Sequence, residues 1–140
     1  MGTRVVVIGP DKPIYNERTA TEAITPGMLV DPVAAGTVEK NDITGLTRVE
    51  VAVENDIFGK GLDDDYASGD TVISQILTPG CEFMALVPAA GAAIAHDAFV
   101  TAVAGGFVGV GVQATAIGRA RQAVDNSAGG TPARIRVVVI

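Results

Sequence analysis

Short runs of alternating apolar and polar residues, separated by turns rich in glycine and proline, cover most of the chain. In residues 47–54, Val49, Val51 and Val53 alternate with charged or small residues, which is the period of two that favours a β-strand. Further strands are predicted at 3–8, after the Pro-Gly turn in 24–30, and at 70–77, 82–89, 98–104, 107–113, 117–124 and 133–140. Strands of this length with a turn signal roughly every 8–12 residues are typical of an all-β fold, a small antiparallel barrel or sandwich.

Residues 98–118 contain no charged side chain and admit three interpretations. A membrane helix needs about 20 apolar residues, and glycines and polar residues interrupt this stretch. The sequence at 109–114 matches G-x-G-x-x-A, but the helix and the downstream acidic residue that a dinucleotide site requires are missing. The alternation of valine and glycine in 108–112 favours the third interpretation, two strands that fold back at Gly105 and Gly106.

Two later segments complete the predicted strands. Residues 115–126 contain alanine, arginine and glutamine, which favour a helix, but Gly118 and the alternation around it favour a strand. The glycine pairs at 105–106 and 129–130 are expected to form hairpin turns with positive φ, which glycine adopts without strain.

Residues 11–22 are polar, contain Pro13 and show no sustained period, so they are predicted to form an extended arm. The chain is therefore divided into an N-terminal strand and arm at 1–22 and a β-barrel-like domain at 23–140. Such an arm can reach a neighbouring molecule, because extended chain covers about 3.3 Å per residue. The candidate partner-binding residues are Arg4, Val6, Ile14, Tyr15 and Arg18.

The two chain ends, TRVVVI and IRVVVI, are nearly the same strand sequence. The edge of each strand must be covered by the other strand, by a neighbouring subunit or by a different protein. One alternative to the arm is that residues 3–8 simply pair with residues 134–140 in their own barrel. A chain that begins and ends in such strands is expected to assemble.

Composition narrows the function classes. A chain of 140 residues, 48% of them hydrophobic, fits one domain with a real core. The net charge of −6 argues against a nucleic-acid partner, because phosphate binding needs a basic surface. The single cysteine excludes an internal disulfide, and the first apolar run is too short for a signal peptide, so no export is expected.

Candidate catalytic and metal-binding groups are few. His96, the only histidine, has no flanking motif that supplies a nucleophile or an oxyanion hole and is interpreted as a loop residue. Cys81 is interpreted as a small buried residue, and the three aspartates at 63–65 as a solvated loop that lacks calcium-loop spacing. Glu50 and Glu54 are expected on a solvent-exposed strand face. The sequence therefore predicts no catalytic site, no metal site and no cofactor.

The order of five segments resembles the small decoration (cement) proteins of tailed-bacteriophage capsids. These segments are ITPGMLV, GLDDDYASGDTV, AAIAHDAFVTAVAGGFVGVG, AIGRARQAV and a closing strand, and the similarity spans roughly residues 24–124. In that family a PGxxV strand precedes a glycine turn with D-x-Y-A and G-D, and an IGRA strand follows a later pair of strands. The chain departs from the family at His96 and Asp97, where the family pattern has Gly-Asp.

The resemblance implies a β-tulip-like fold and a structural role with no enzymatic activity. A protein of this kind binds the outer surface of a bacteriophage capsid and cements adjacent major capsid protein subunits, as a homotrimer or a dimer. The implied location is the virion, after assembly in the host cytoplasm, with no membrane partner. The alternative is a small oligomeric β-fold binding module or an enzyme whose site lies at a subunit interface.

Overall fold

Eleven strands and two short 3₁₀ turns make up the computed structural model of the protein, which describes residues 4–45 and 48–140. The strands are β1 (Val6–Ile8), β2 (Ile14–Ala20), β3 (Val30–Pro32), β4 (Thr37–Lys40), β5 (Glu50–Ala52), β6 (Thr71–Ile76), β7 (Glu82–Val87), β8 (Phe99–Val103), β9 (Phe107–Val110), β10 (Gly118–Ala120) and β11 (Ala133–Val139). The 3₁₀ turns are Asp56–Phe58 and Gln113–Thr115. The predicted all-β class is confirmed. Thr3 and Thr47, the first residues of two predicted strands, lie outside the described residues.

Two sheets pack against each other. The six-stranded sheet has the order β1-β7-β11-β10-β8-β9, and the five-stranded sheet has the order β3-β4-β2-β6-β5. All pairs are antiparallel except β2 with β4, which are parallel. β6 and β7 follow each other around the turn at 78–80 but belong to different sheets, so this turn carries the chain from one layer to the other.

The segment predicted as an arm is instead a strand inside the five-stranded sheet. β2 pairs with β6 over six residues, from Ile14 opposite Ile76 to Thr19 opposite Thr71, and with β4 on its other side. The sequence of β2 lacks the alternation of apolar and polar residues that predicts a strand. Backbone hydrogen bonds to its two neighbouring strands hold β2 in place, so the strand does not need an apolar face of its own.

The two chain ends lie in the same sheet but do not pair with each other. β1 pairs with β7 through Val6 opposite Phe83, and β11 pairs with the other side of β7. The alternative pairing of residues 3–8 with residues 134–140 is therefore wrong. β7 lies between the two terminal strands and pairs with both of them within one molecule, and β1 forms one edge of the sheet.

Two apolar cores lie on opposite faces of the five-stranded sheet at β5 and β6. The main core joins Val51 to Phe83 and the other inward residues of the six-stranded sheet. The second core contains Ala52 and Val72, which alternate with the residues facing the main core, together with Tyr66. Because both faces of β5 are covered, the expected wet face on this strand does not exist.

The uncharged stretch is confirmed as two strands joined by a glycine turn. β8 and β9 pair from Val103 opposite Phe107, and Gly105 and Gly106 have φ of 89° and 80°. The expectation of positive φ at Gly129 and Gly130 is wrong, since neither residue belongs to the positive-φ set. Gly129 is required for space instead, because a Cβ there would collide with the side chain of Asn126.

Candidate functional site

A cleft of about 370 Å³ opens where the N-terminal strand meets the five-stranded sheet. Its walls come from β1, β2, β6 and the 3₁₀ turn that follows β5. The lining residues are Arg4, Val6, Tyr15, Glu17, Val53, Glu54, Asp56, Ile57, Ile73 and Gln75. Apolar walls with a few charged groups are typical of a binding site.

A buried carboxylate positions the N-terminal strand at this cleft. Glu54, only 9% exposed, accepts a hydrogen bond from the backbone N–H of Val5 through its Oε2 at 3.0 Å. Val5 is itself fully buried in the main core. A hydrogen bond to a charged acceptor contributes about 1.5–3 kcal/mol, so Glu54 fixes the chain just before β1. The carboxylate that the sequence placed on a wet surface is therefore structural.

Large apolar side chains project from the walls and rim of the cleft. Tyr15 is 58% exposed, and Ile57 and Phe58 on the 3₁₀ turn are 80% and 76% exposed. Gly59 ends this turn with φ of 69°, which lets the chain reverse sharply and leaves Ile57 and Phe58 at its tip. Tyr15 and Ile57 line the same cleft, and exposed apolar groups that lie together mark an interaction surface.

One exposed ion pair spans the rim of the cleft. Nη2 of Arg4 lies 3.6 Å from Oδ2 of Asp56, and both side chains are more than half exposed. Exposed pairs of this kind contribute about 0–1 kcal/mol to stability. Arg4 is therefore free to exchange Asp56 for a carboxylate of a partner.

The structure brings three of the five predicted partner-binding residues together. Arg4, Val6 and Tyr15 all line the cleft. Successive side chains on a strand point to opposite faces, so Ile14 and Arg18 lie on the other face of β2. Ile14 is 56% exposed there, while Arg18 turns inward to a buried glutamate. The two faces of β2 could not be distinguished from the sequence, because an arm and not a strand was predicted for this segment.

The glutamate that binds Arg18 is Glu50, which is fully buried. Its Oε2 accepts hydrogen bonds from Arg18 Nη1 at 2.5 Å and Ser74 Oγ at 2.7 Å, and its Oε1 accepts one from Arg48 Nη2 at 2.5 Å. Asn16 Nδ2 is a longer contact at 3.4 Å. This cluster joins β2, β5 and β6 and is a structural element of the sheet.

Sequence reasoning missed Ile57 as a residue of the site. An adjacent isoleucine and phenylalanine between Asp56 and Gly59, outside any alternating run, is a signal that an apolar pair stands on a turn rather than in a core. Their exposure could not be read from the sequence, because a short apolar pair also fits a buried loop.

The candidate chemical groups do not form a catalytic constellation in the described part of the chain. His96 lies exposed in a loop with its Nδ1 3.1 Å from Oδ2 of Asp97, and Cys81 is buried. Asp63, Asp64 and Asp65 are exposed, and no three His, Cys, Asp or Glu side chains among residues 4–45 and 48–140 are grouped to hold a metal ion.

The hydroxyl of Tyr66 is a buried polar group with a structural role. It donates a hydrogen bond to the backbone carbonyl of Val53 at 2.7 Å, next to the cleft. Burial raises the pKa of Tyr66 above its usual value, and nearby carboxylates, first Glu54, act in the same direction. The phenol therefore stays neutral and acts as a hydrogen-bond donor over the physiological range.

Comparisons with known proteins identify the fold. No protein-family model matches the chain, and no curated protein matches it in sequence. Within the described residues, no helix has the length and apolar character needed to cross a membrane. Among solved structures, the chain is similar to the N-terminal base of the head fibre protein gp8.5 of bacteriophage phi29, with a TM-score of 0.60 and 11% sequence identity. The similarity covers 92% of this chain and 95% of that one, so the two share a fold along nearly their whole lengths.

Proposed function

We propose that the protein is a structural component of a tailed-bacteriophage virion that attaches to the outer surface of the head. The observation that carries this proposal is the fold shared with the base of a phage head fibre over 92% of the chain. The sequence resemblance to capsid decoration proteins points to the same class of function. A structural role also suits a surface built from exposed apolar groups around a cleft, since attachment needs contact area and no reaction.

The major capsid protein is the proposed partner, and the cleft is the proposed attachment site. Tyr15 and Ile57 supply apolar anchors. Arg4 supplies a charged group at the rim, where it forms only an exposed ion pair with Asp56. Aromatic and apolar anchors surrounded by a polar rim are the usual anatomy of a protein interface.

Attachment to adjacent coat subunits would cement the shell. A protein that binds two neighbours adds contact area to their junction, and separation of the neighbours then requires loss of that contact. A homotrimer, or a dimer, attaches through several copies at once, so weak single contacts combine into durable binding. The protein would be assembled onto heads in the host cytoplasm and remain on the virion surface.

Co-sedimentation of the purified chain with capsid shells of its phage tests the proposal. We expect the parent chain to pellet with shells, and Tyr15→Asp with Ile57→Asp to pellet at least tenfold less, because two anchors are replaced by charges. Val112→Asp is the matched control, since Val112 is 64% exposed and does not line the cleft.

Electron microscopy of the decorated shells then locates the protein. Density on the outer surface that bridges coat subunits supports the proposal. A folded parent chain that never associates with shells rejects it, and equal loss of binding in the control rejects the cleft as the attachment site.

A further inference from the structure

The outward face of the six-stranded sheet carries a group of arginines. We define this arginine face by Phe99, Arg119, Arg121, Arg136 and Val138. Arg119 stands opposite Val138 on β11 and opposite Phe99 on β8, and residues directly opposite in antiparallel strands share a face.

The arginine face holds more positive than negative charge. Arg121 and Arg136 share one carboxylate, Glu82, at 3.0 Å and 2.7 Å, and the side chain of Glu82 is only 7% exposed. The Arg119 guanidinium stacks 4.6 Å from the centre of a phenylalanine ring and donates to the backbone carbonyl of Asp97 rather than to a carboxylate. The arginine face thus presents three guanidinium groups and one buried carboxylate, Glu82, which binds only Arg121 and Arg136.

The rest of the molecule is strongly acidic. Residues 1–80 carry thirteen carboxylates and six basic side chains, while residues 81–140 carry three carboxylates and four arginines. Much of this negative charge is exposed in the loops between β5 and β6. We define the acidic surface there by Phe58, Asp64, Asp65 and Asp70, which surround a shallow cavity whose only basic lining residue is Lys60.

We propose that the arginine face of one copy of the chain binds the acidic surface of a second copy. The two surfaces have opposite charge, and each carries an aromatic ring, half-buried Phe99 on one and exposed Phe58 on the other. The contact joins two different surfaces, so it is a head-to-tail contact, which closes into a ring when the rotation between copies allows. It rests on the proposed self-association but not on attachment to a phage head.

Charge reversal in the full chain tests the contact. Sedimentation velocity is measured for the parent, for Arg119→Glu with Arg121→Glu, for Asp64→Lys with Asp65→Lys, and for all four changes combined. We expect each pair of changes to weaken association by at least about tenfold, and the combination to restore it, because opposite charges face each other again. Association of the parent should also weaken when the salt concentration is raised from about 0.05 M to 0.5 M, because the Debye length shortens and opposite charges attract each other less.

Two controls separate the contact from loss of folding. Lys12→Glu reverses an exposed charge outside both surfaces and should leave association unchanged. The neutral variant Arg119→Gln with Arg121→Gln places no new carboxylate beside Glu82 and should weaken association in the same direction by a smaller factor.

Three results would overturn the proposal. They are a parent chain that is monomeric at every concentration, reversed variants that associate as the parent does, and a combined variant that stays dissociated. Reversed variants that keep their oligomeric state but no longer bind shells would also overturn it, because the arginine face would then contact the coat. Restored association without any shell binding would support the contact and reject only the attachment to heads.

Discussion

Glu50→Gln tests whether the buried ion cluster holds the five-stranded sheet together. The carboxylate is fully buried and accepts hydrogen bonds from Arg18, Ser74 and Arg48, so three strands or their flanks meet at one side chain. Glutamine has the same shape but no charge. Its amide nitrogen must also face at least one of these donors, which leaves that donor without an acceptor.

The magnitude follows from the exposure of each partner. The Arg48 side chain is 53% exposed, so its pair with Glu50 contributes at most about 1 kcal/mol. The Arg18 side chain is 20% exposed, and a charged hydrogen bond in such a site contributes about 1.5–3 kcal/mol. We therefore expect a loss of about 3 kcal/mol in the free energy of unfolding, the lower end of the range for breaking a buried pair. For a chain of this length that corresponds to a fall in Tm of roughly 10 °C.

Urea unfolding at pH 7, followed by circular dichroism, measures the loss. Glu17→Gln is the matched control, because Glu17 is an exposed glutamate on β2 and its change should stay within about 0.5 kcal/mol. The double variant Arg18→Met with Glu50→Leu removes both charges of the inner pair. It should lose less than Glu50→Gln alone, because the remaining arginine of the cluster can turn to solvent.

Two results would refute this reasoning. If Glu50→Gln unfolds within about 0.5 kcal/mol of the parent, the carboxylate is not a structural element of the sheet. If the double variant is less stable than the single one, packing around the side chains, and not the pairing of their charges, sets the stability of this region.

Three further predictions concern single positions. Gly106→Ala should cost about 2 kcal/mol, and Gly36→Ala about 1 kcal/mol, in thermal unfolding, since both glycines have positive φ but only at Gly106 would a Cβ crowd Met28. Asp31→Asn should stabilise the protein at pH 7 and not below about pH 4, because burial raises the pKa of Asp31. The favourable contribution of Asp31 is present below its unfolded pKa and is lost as the pH rises through its folded pKa. Urea unfolding at both pH values measures the difference between variant and parent, and equal differences would contradict the prediction. Tyr66→Phe should cost about 1 kcal/mol in urea unfolding because a buried carbonyl loses its donor, and an unchanged midpoint would show that water replaces the hydroxyl.

Local patterns were sufficient to predict most of the strands. The alternation of valine with glycine in 108–112, the glycine pair at 105–106 and the charged alternation in β11 each carry their own signal within a few residues. A strand whose side chains are half buried and half exposed shows a period of two wherever it lies, so the all-β class was available from the sequence.

β2 and β5 show where local patterns fail. β2 reads as a polar arm because its two faces carry Tyr15 and Glu17 on one side and Asn16 and Arg18 on the other, and its place between β4 and β6 comes from backbone pairing alone. Glu50 reads as a solvent-exposed residue because nothing within β5 reveals that Arg18, more than thirty positions away, neutralises it.

The candidate site shows the same division. The sequence by itself determined the strand class and the turn between β8 and β9, and it suggested Arg4, Val6 and Tyr15 among the candidate partner-binding residues. Only the tertiary structure decided that these three share a cleft with Ile57, and that Arg18 belongs to the interior. The physical reason is that side-chain periodicity depends on neighbours in sequence, whereas burial, pairing of charges and the meeting of surfaces depend on contacts between residues far apart in the chain.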